Sequence, residues 1–275
     1  MRLVGAAIVA AALLLQPSAH AEQTVLHHVP QADLKVLDPV TNPAFITVQH
    51  AYMVYDQLFA LDANGKPQPQ MVETWSLSPD GRTYSFTLRS GLKFHDGTPV
   101  RAADAVASIK RWTVKDPAGS QLAKQGMELQ AKDDRTFTLS LREPWGMVIE
   151  AMAKPSWALF VMRESDASRD PSNAVTEVVG SGPFRFVRSE WVPGSKVVYE
   201  RNPDYVPRSE PASFYAGGKV VKVDRVEWDI IPDPATAVSA LVRGEVDSVE
   251  APPIDLLPVL GKAQGVKVVI RDKLG

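Results

Sequence analysis

The sequence predicts a mixed α/β protein in which a hairpin-rich antiparallel module precedes the opening of a parallel α/β module. Three observations carry this. Asn64-Gly65, Asp80-Gly81 and Asp96-Gly97 are small-polar-then-glycine pairs suited to tight hairpins. Thr83 to Arg89 and Thr136 to Leu141 alternate polar and apolar residues with period two. A strand, a ten-residue helix and a second strand follow one another from Val226 to Val249.

Met1 and Arg2 open the chain with positive charge, Leu3 to Leu15 is continuously apolar, and Ala19-His20-Ala21 forms a small-x-small site before Glu22. These are the three parts of a signal peptide, and the apolar run is shorter than the roughly 20 residues a membrane span needs. Residues 1–21 are therefore expected to direct export and to be cleaved after Ala21. The spacing of Tyr52, Tyr55 and Phe59 predicts a helix over Val48 to Phe59, with the aromatic stripe in the core. In the strand that follows, Tyr84, Phe86 and Leu88 share the buried face. Ala102 to Trp112 is alanine-rich, with Ala105, Ile109 and Trp112 on one helical face.

Trp145, Trp157 and Trp191 lie in Pro- or Gly-flanked loops, where rings either wall a cleft or pack beneath the loop. Val226 to Ile231 reads as a strand. Asp233 then offers an N-cap, Pro234 a first helical position and Gly244 a stop. Glu245 to Val249 reads as the parallel return strand, and a second unit is expected from a short helix at Ile254 to Leu260 and a strand at Val266 to Ile270.

The 275 residues, 45% hydrophobic and 23% charged, suit a soluble globular chain of one large domain or two modest ones. Thirty basic against 32 acidic side chains, with no basic block, argue against nucleic acid as a partner. The absence of cysteine removes disulfides, thiolate metal sites, cysteine nucleophiles and an N-terminal lipid anchor. Catalytic patterns are weak. Ser90-Gly91-Leu92-Lys93 spells S-x-x-K, but at a strand end rather than on a helical turn. Asp62, Asn64 and Glu73 match part of a calcium loop that Lys66 and Pro67 interrupt. His27, His28, His50 and His95 have no recognised ligand spacing, although the adjacent His27-His28 pair could catch a metal adventitiously.

The stretch Pro69-Gln70-Met71-Val72-Glu73-Thr74-Trp75, then Ser78 to Arg89, then Gly91 to Val100, resembles bacterial extracellular solute-binding proteins, family 5. This family comprises the dipeptide, oligopeptide and nickel-binding receptors of ABC importers. Leu37-Asp38-Pro39, Gly180 to Phe184, Arg201 to Tyr205 and Gly244 to Asp247 agree in order, so the likeness runs from about Val25 onwards. It departs from the pattern at Arg101, where a capping Thr is common, removing a cap worth ~1 kcal/mol, while Asp104 still complements the helix dipole.

The resemblance implies an α/β lobe of the type II periplasmic binding protein kind carrying an inserted, mainly antiparallel α+β subdomain. On that pattern residues 22–46 begin the lobe, 47–163 are the insertion, and 164–275 continue the lobe. The family's chains are much longer, so the second lobe is expected to be absent from this sequence. The implied ligand contacts are Thr41, Asn42, Pro43 and Phe45, then Ser156 and Trp157, then Ser181, Gly182 and Pro183, the last three equally readable as a plain turn. Small residues there would let a ligand backbone approach closely. The implied function is noncovalent, cofactor-free and metal-free binding of a peptide or other small solute by a periplasmic monomer that serves an inner-membrane ABC permease. The competing readings are a truncated receptor without ligand binding and a periplasmic hydrolase.

Overall fold

A computed structural model describes residues 23–270; the signal-peptide reading, including its cleavage site, lies outside them. Along the chain come β1 (Val25–Val29), α1 (Phe45–Val54), β2 (Asp56–Gln57), β3 (Phe59–Leu61), β4 (Pro67–Pro69), β5 (Val72–Leu77) and β6 (Thr83–Leu88). These are followed by α2 (Ala102–Lys115), α3 (Pro117–Lys124), β7 (Glu128–Ala131), β8 (Thr136–Ser140), α4 (Val148–Ala153), β9 (Phe160–Val161) and α5 (Glu164–Ala167). The remainder comprises β10 (Phe184–Phe186), β11 (Lys196–Arg201), β12 (Arg225–Asp229), α6 (Pro234–Arg243), β13 (Ser248–Val249) and α7 (Leu257–Leu260).

Two cores result. The first is built on the antiparallel sheet β5-β6-β8-β7. Tyr84, Phe86 and Leu88 are buried on one face, as the alternation predicts, and Phe86 pairs across the ladder with Phe137, the rings stacked 4.9 Å apart. Ala105, Ile109 and Trp112 of α2 pack on that face. Gly65, Gly81 and Gly97 all have positive φ, the conformation their turns demand.

The second core lies on a mixed sheet, β10-β11-β12-β1-β13, with β1 parallel to both β12 and β13, and β11 antiparallel to its neighbours β10 and β12. The run Ala158 to Met162 separates the cores: Leu159 and Val161 face the first, and Ala158, Phe160 and Met162 the second. A strand buried on both faces reads as a continuous apolar run, which is what the sequence has there.

The helix expected over Val48 to Phe59 ends at Val54. Beyond it the backbone finds partners outside the helix: Asp56 and Gln57 pair with Val161 and Phe160, and Phe59 pairs with Pro69. The aromatic spacing is therefore coincidental, since Phe59 is on a strand of the first core while Tyr55 packs in the second. In α6, Asp233 accepts the Thr236 N–H at 2.7 Å and Gly244 ends the helix at φ 73°, both as read. The chain from β12 through α6 to β13 passes over β1, giving the parallel arrangement expected.

The strand expected at Val266 to Ile270 does not form; Val268, Val269 and Ile270 are exposed. A strand needs a neighbour for its N–H and C=O groups, and the return strand β13 is only two residues long. The helical stretch before it is a 3₁₀ turn at Ile254–Leu256 followed by the four-residue α7. Arg101 offers α2 no acceptor, but Asp104 accepts the Arg101 N–H at 2.7 Å and the Glu164 N–H at 2.7 Å, so one carboxylate starts the helix and ties it to α5.

Candidate functional site

A cavity of about 1080 Å³ opens between α1, the β1 and β12 face of the mixed sheet, and the segment 212–223. Its lining is mainly apolar. Leu26, Val226 and Trp228 form the sheet wall, while Val48 and Tyr52 reach in from α1. The Tyr52 ring stacks on Tyr215 at 4.6 Å, and Phe214 meets Tyr215 edge-on at 4.2 Å. Phe214 is 45% exposed with φ 56°, a backbone state costing a bulky L-residue about 1–2 kcal/mol. Its strained backbone thus carries an exposed aromatic ring at the edge of the cavity.

Of the residues proposed from sequence, Pro43, Phe45, Ser156 and Pro183 line this cavity. Thr41, Asn42, Trp157, Ser181 and Gly182 flank those four in the chain but do not line it. The Thr41 hydroxyl donates to the Asp38 carbonyl, and the Asn42 side chain caps the Ala44 N–H, so both shape the loop that leads to Phe45. Trp157 has φ 49°, and its carbonyl accepts the Trp112 indole N–H at 2.8 Å.

The segment Gly180 to Pro183 is more than a turn. Gly182 donates to the Val54 carbonyl at 3.0 Å, and His95 holds both glycines, its N–H on the Gly180 carbonyl and its Nε2 3.1 Å from the Gly182 carbonyl. Burial lowers the His95 pKa to about 4 against the opposing pull of that Gly182 bond, so its imidazole is neutral and Nε2 carries the donated proton. Asn202 completes the clamp by donating its side-chain amide to the Gly182 carbonyl and its backbone N–H to the Pro183 carbonyl. The close approach explains the glycines, because a Cβ on Gly180 would lie 1.7 Å from the Val54 oxygen.

The segment 212–223 is anchored through Asp56, which is buried. Its carboxylate accepts from Lys219 Nζ at 2.7 Å, the Tyr205 hydroxyl at 2.9 Å and the Gln57 N–H at 2.9 Å. Desolvation, with the Asp56 charge second, pushes the Tyr205 hydroxyl far above its ordinary pKa, so it remains a donor. Sequence reasoning missed this segment and its contacts with Tyr52. It has no hydrophobic period, and the Tyr52–Tyr215 stack joins residues far apart in the chain. Trp145 and Trp191 pack against the first and second cores, and none of the three loop tryptophans lines the cavity.

His28, on the cavity lining, has Nδ1 2.8 Å from the Ser248 hydroxyl, whereas the catalytic and metal-binding spellings noted in the sequence do not come together. Ser181 Oγ and His95 Nδ1 are both buried without a hydrogen-bond partner, so that serine is not bonded to that histidine. Ser90 lies at a turn, not on a helix, and Asp62 spends its oxygens on Asn64, Lys66 and Gln68 within its own hairpin. His27, Glu227 and Asp229 bring three possible ligand atoms within 4.8 Å of one another. Glu227, however, is already bonded to Lys196 and Arg225, and His27 Nδ1 to Asp229, so these ligand atoms are engaged by protein partners. No helix among the described residues is long and apolar enough to cross a membrane.

Comparison with known proteins places this architecture. The family model "Bacterial extracellular solute-binding proteins, family 5 Middle" matches residues 66–275. The "Probable peptide ABC transporter periplasmic-binding protein y4tO" of Sinorhizobium fredii is 45% identical over 274 residues, covering 98% of this chain and 51% of the relative. Among solved structures, the PBP AgaA in complex with agropinic acid from A.tumefacien R10 matches with a TM-score of 0.70 at 26% identity, covering 87% of this chain and 46% of that one. The dipeptide-binding protein from pseudoalteromonas sp. SM9913 in complex with Met-Leu matches with a TM-score of 0.72 at 19% identity, covering 87% and 50%, a likeness of fold. The mixed α/β architecture is thus that of type II periplasmic binding proteins, and the chain spans about half the length of the relatives it matches. With the family model covering most of the chain, including the clamp around Gly182 and the segment 212–223, the chain belongs to the bacterial extracellular solute-binding proteins, family 5.

Proposed function

We propose that this chain is the ligand-holding first lobe of an exported solute receptor that serves an ABC permease in the inner membrane, with a peptide-like solute. The observation that carries the reading is the large apolar, aromatic cavity with Pro43, Phe45, Ser156 and Pro183 along its lining, supported by the family match over residues 66–275. The remaining expected contacts, Thr41, Asn42, Trp157, Ser181 and Gly182, act by holding those four in place. Binding is noncovalent and needs neither cofactor nor metal, and no reaction is performed. Residues 47–163 are read as the inserted subdomain, residues 22–46 and 164–275 as the lobe itself. Residues 1–21 are read as a cleaved signal that delivers a monomer to the periplasm, free of lipid because the chain has no cysteine.

An apolar pocket with a stacked tyrosine pair suits a solute with an aliphatic or aromatic body, each buried CH₂ contributing about 0.8 kcal/mol. Isothermal titration with a panel of apolar dipeptides tests the reading, beside the Tyr52→Ala variant, which removes half of the stack. Binding of at least one dipeptide that weakens tenfold or more in Tyr52→Ala supports it. A panel that produces no heat supports the reading of a receptor fragment that does not bind, and turnover of any dipeptide would favour a hydrolase.

A further inference from the structure

The polar groups of the cavity are few and unequal. Among the residues lining it there is no aspartate or glutamate, whereas two lysines are present. Lys219 is neutralised by Asp56 at 2.7 Å. Lys222 is exposed and makes no ion pair among the described residues, so its charge is available to a ligand. The second polar feature is Gln49, on the inward side of α1. Its Nε2 donates to the Glu250 carboxylate at 2.6 Å, which fixes the orientation of the amide. That leaves Oε1 as an acceptor, and this atom is buried without a hydrogen-bond partner.

A buried acceptor left without a donor is unfavourable, and a ligand N–H that reaches it relieves that cost. A lining that holds an unpaired ammonium and no carboxylate attracts anions, and the nearby Glu250 carboxylate, outside the lining, is engaged by Gln49 Nε2 at 2.6 Å. The aromatic group of Tyr52, Tyr215 and Phe214 lies in the same cavity and provides faces for an apolar body.

We propose that the cavity selects apolar solutes that carry a free carboxylate and an amide N–H, the carboxylate pairing with Lys222 and the N–H donating to Gln49 Oε1. Lys222 and Gln49 are then the specificity-determining residues of the lobe, and an N-acylated apolar dipeptide meets the cavity's chemistry better than one with a free amino terminus. This inference rests on reading the cavity as the solute site.

Four probes test it by isothermal titration and thermal shift with the intact chain: N-acetyl-alanyl-phenylalanine, its C-terminal amide, the free dipeptide alanyl-phenylalanine, and the ester analogue in which oxygen replaces the phenylalanine N–H. The acetylated acid is expected to bind at least tenfold tighter than its amide, and tighter than the free dipeptide and the ester. In Lys222→Ala the acid should fall to the affinity of the amide, and in Gln49→Leu the acid and the ester should bind alike. If acid and amide bind the unaltered protein equally, or if the acid's advantage survives Lys222→Ala, selection by charge is overturned while the solute site stands. Equal binding of acid and ester overturns the role of Gln49. If none of the four binds, the solute-site reading fails and this inference with it.

Discussion

The guanidinium of Arg111 on α2 donates to the carboxylate of Asp38 across 2.8 Å, with both side chains fully buried. Asp38 also accepts the Val40 and Val175 N–H groups at 2.9 Å, and Arg111 reaches the carbonyls of Arg169, Asp170 and Asn173. One ion pair therefore fastens the loop that leads to Pro43 and Phe45 onto the helix that organises the first core. Removing one partner of a buried pair strands the other charge, so Asp38→Ala should lower stability by ~3–5 kcal/mol in urea denaturation. The double variant Asp38→Leu with Arg111→Met should recover most of that loss; no recovery would mean that the pair does more than balance its own charge.

Gly180 and Gly182 owe their identity to space. A Cβ on Gly182 would come within 2.7 Å of the Val54 carbonyl carbon, and on Gly180 closer still. Neither has a positive φ, so the demand is for close approach rather than for a special turn. Gly180→Ala should destabilise by more than ~2 kcal/mol, because a packed backbone must shift, whereas Gly146→Ala, with open space at its Cβ, should be nearly neutral by the same assay.

Legibility in the sequence follows the range of the forces involved. The helix α6 could be placed to the residue because its determinants are local: the Asp233 carboxylate, Pro234 and the left-handed Gly244. The strands β6 and β8 were equally clear from alternation. The helix end at Val54 was not, because it is decided by pairing of Asp56 and Gln57 with a strand about a hundred residues later. The strand expected at Val266 to Ile270 has a suitable apolar run but no neighbour to bond. The site divides likewise. Phe45 and Ser156 are named by a family pattern, whereas Tyr215, Phe214 and Gln49 come to line one cavity only when 212–223 folds back over α1.

Stability should fall on mild acidification. His50, wedged between α1 and β11 with Nδ1 2.9 Å from the Tyr199 hydroxyl and Nε2 buried without a partner, has its pKa lowered by burial to about 3. His95 is lowered to about 4. Both must be neutral in the folded state, while the unfolded chain takes up their protons below about pH 6.5. Their contribution is thus complete above that pH and is lost as pH falls toward the folded values, at about 1.4 kcal/mol per unit for each histidine. Denaturation midpoints at pH 7.5, 6 and 5 should show this, and His50→Leu should flatten the slope by one histidine's share. A midpoint constant from pH 7.5 to 5 would contradict it.

Phe214 should trade stability against binding. Glycine at this position relieves the left-handed backbone but loosens the unfolded chain, so Phe214→Gly should leave stability within ~1 kcal/mol of the unaltered protein. The exposed ring is lost from the cavity edge, so an apolar dipeptide should bind at least tenfold more weakly. A large loss of stability with affinity retained would make Phe214 a packing residue instead.

Hydrogen-exchange mass spectrometry with and without a saturating apolar dipeptide locates binding in the chain. Binding in the cavity should slow exchange in 41–53, 155–157, 181–184 and 212–223 and leave the first-core strands β5, β6, β7 and β8 unchanged. Protection confined to that first core, or no protection at saturation, would contradict it.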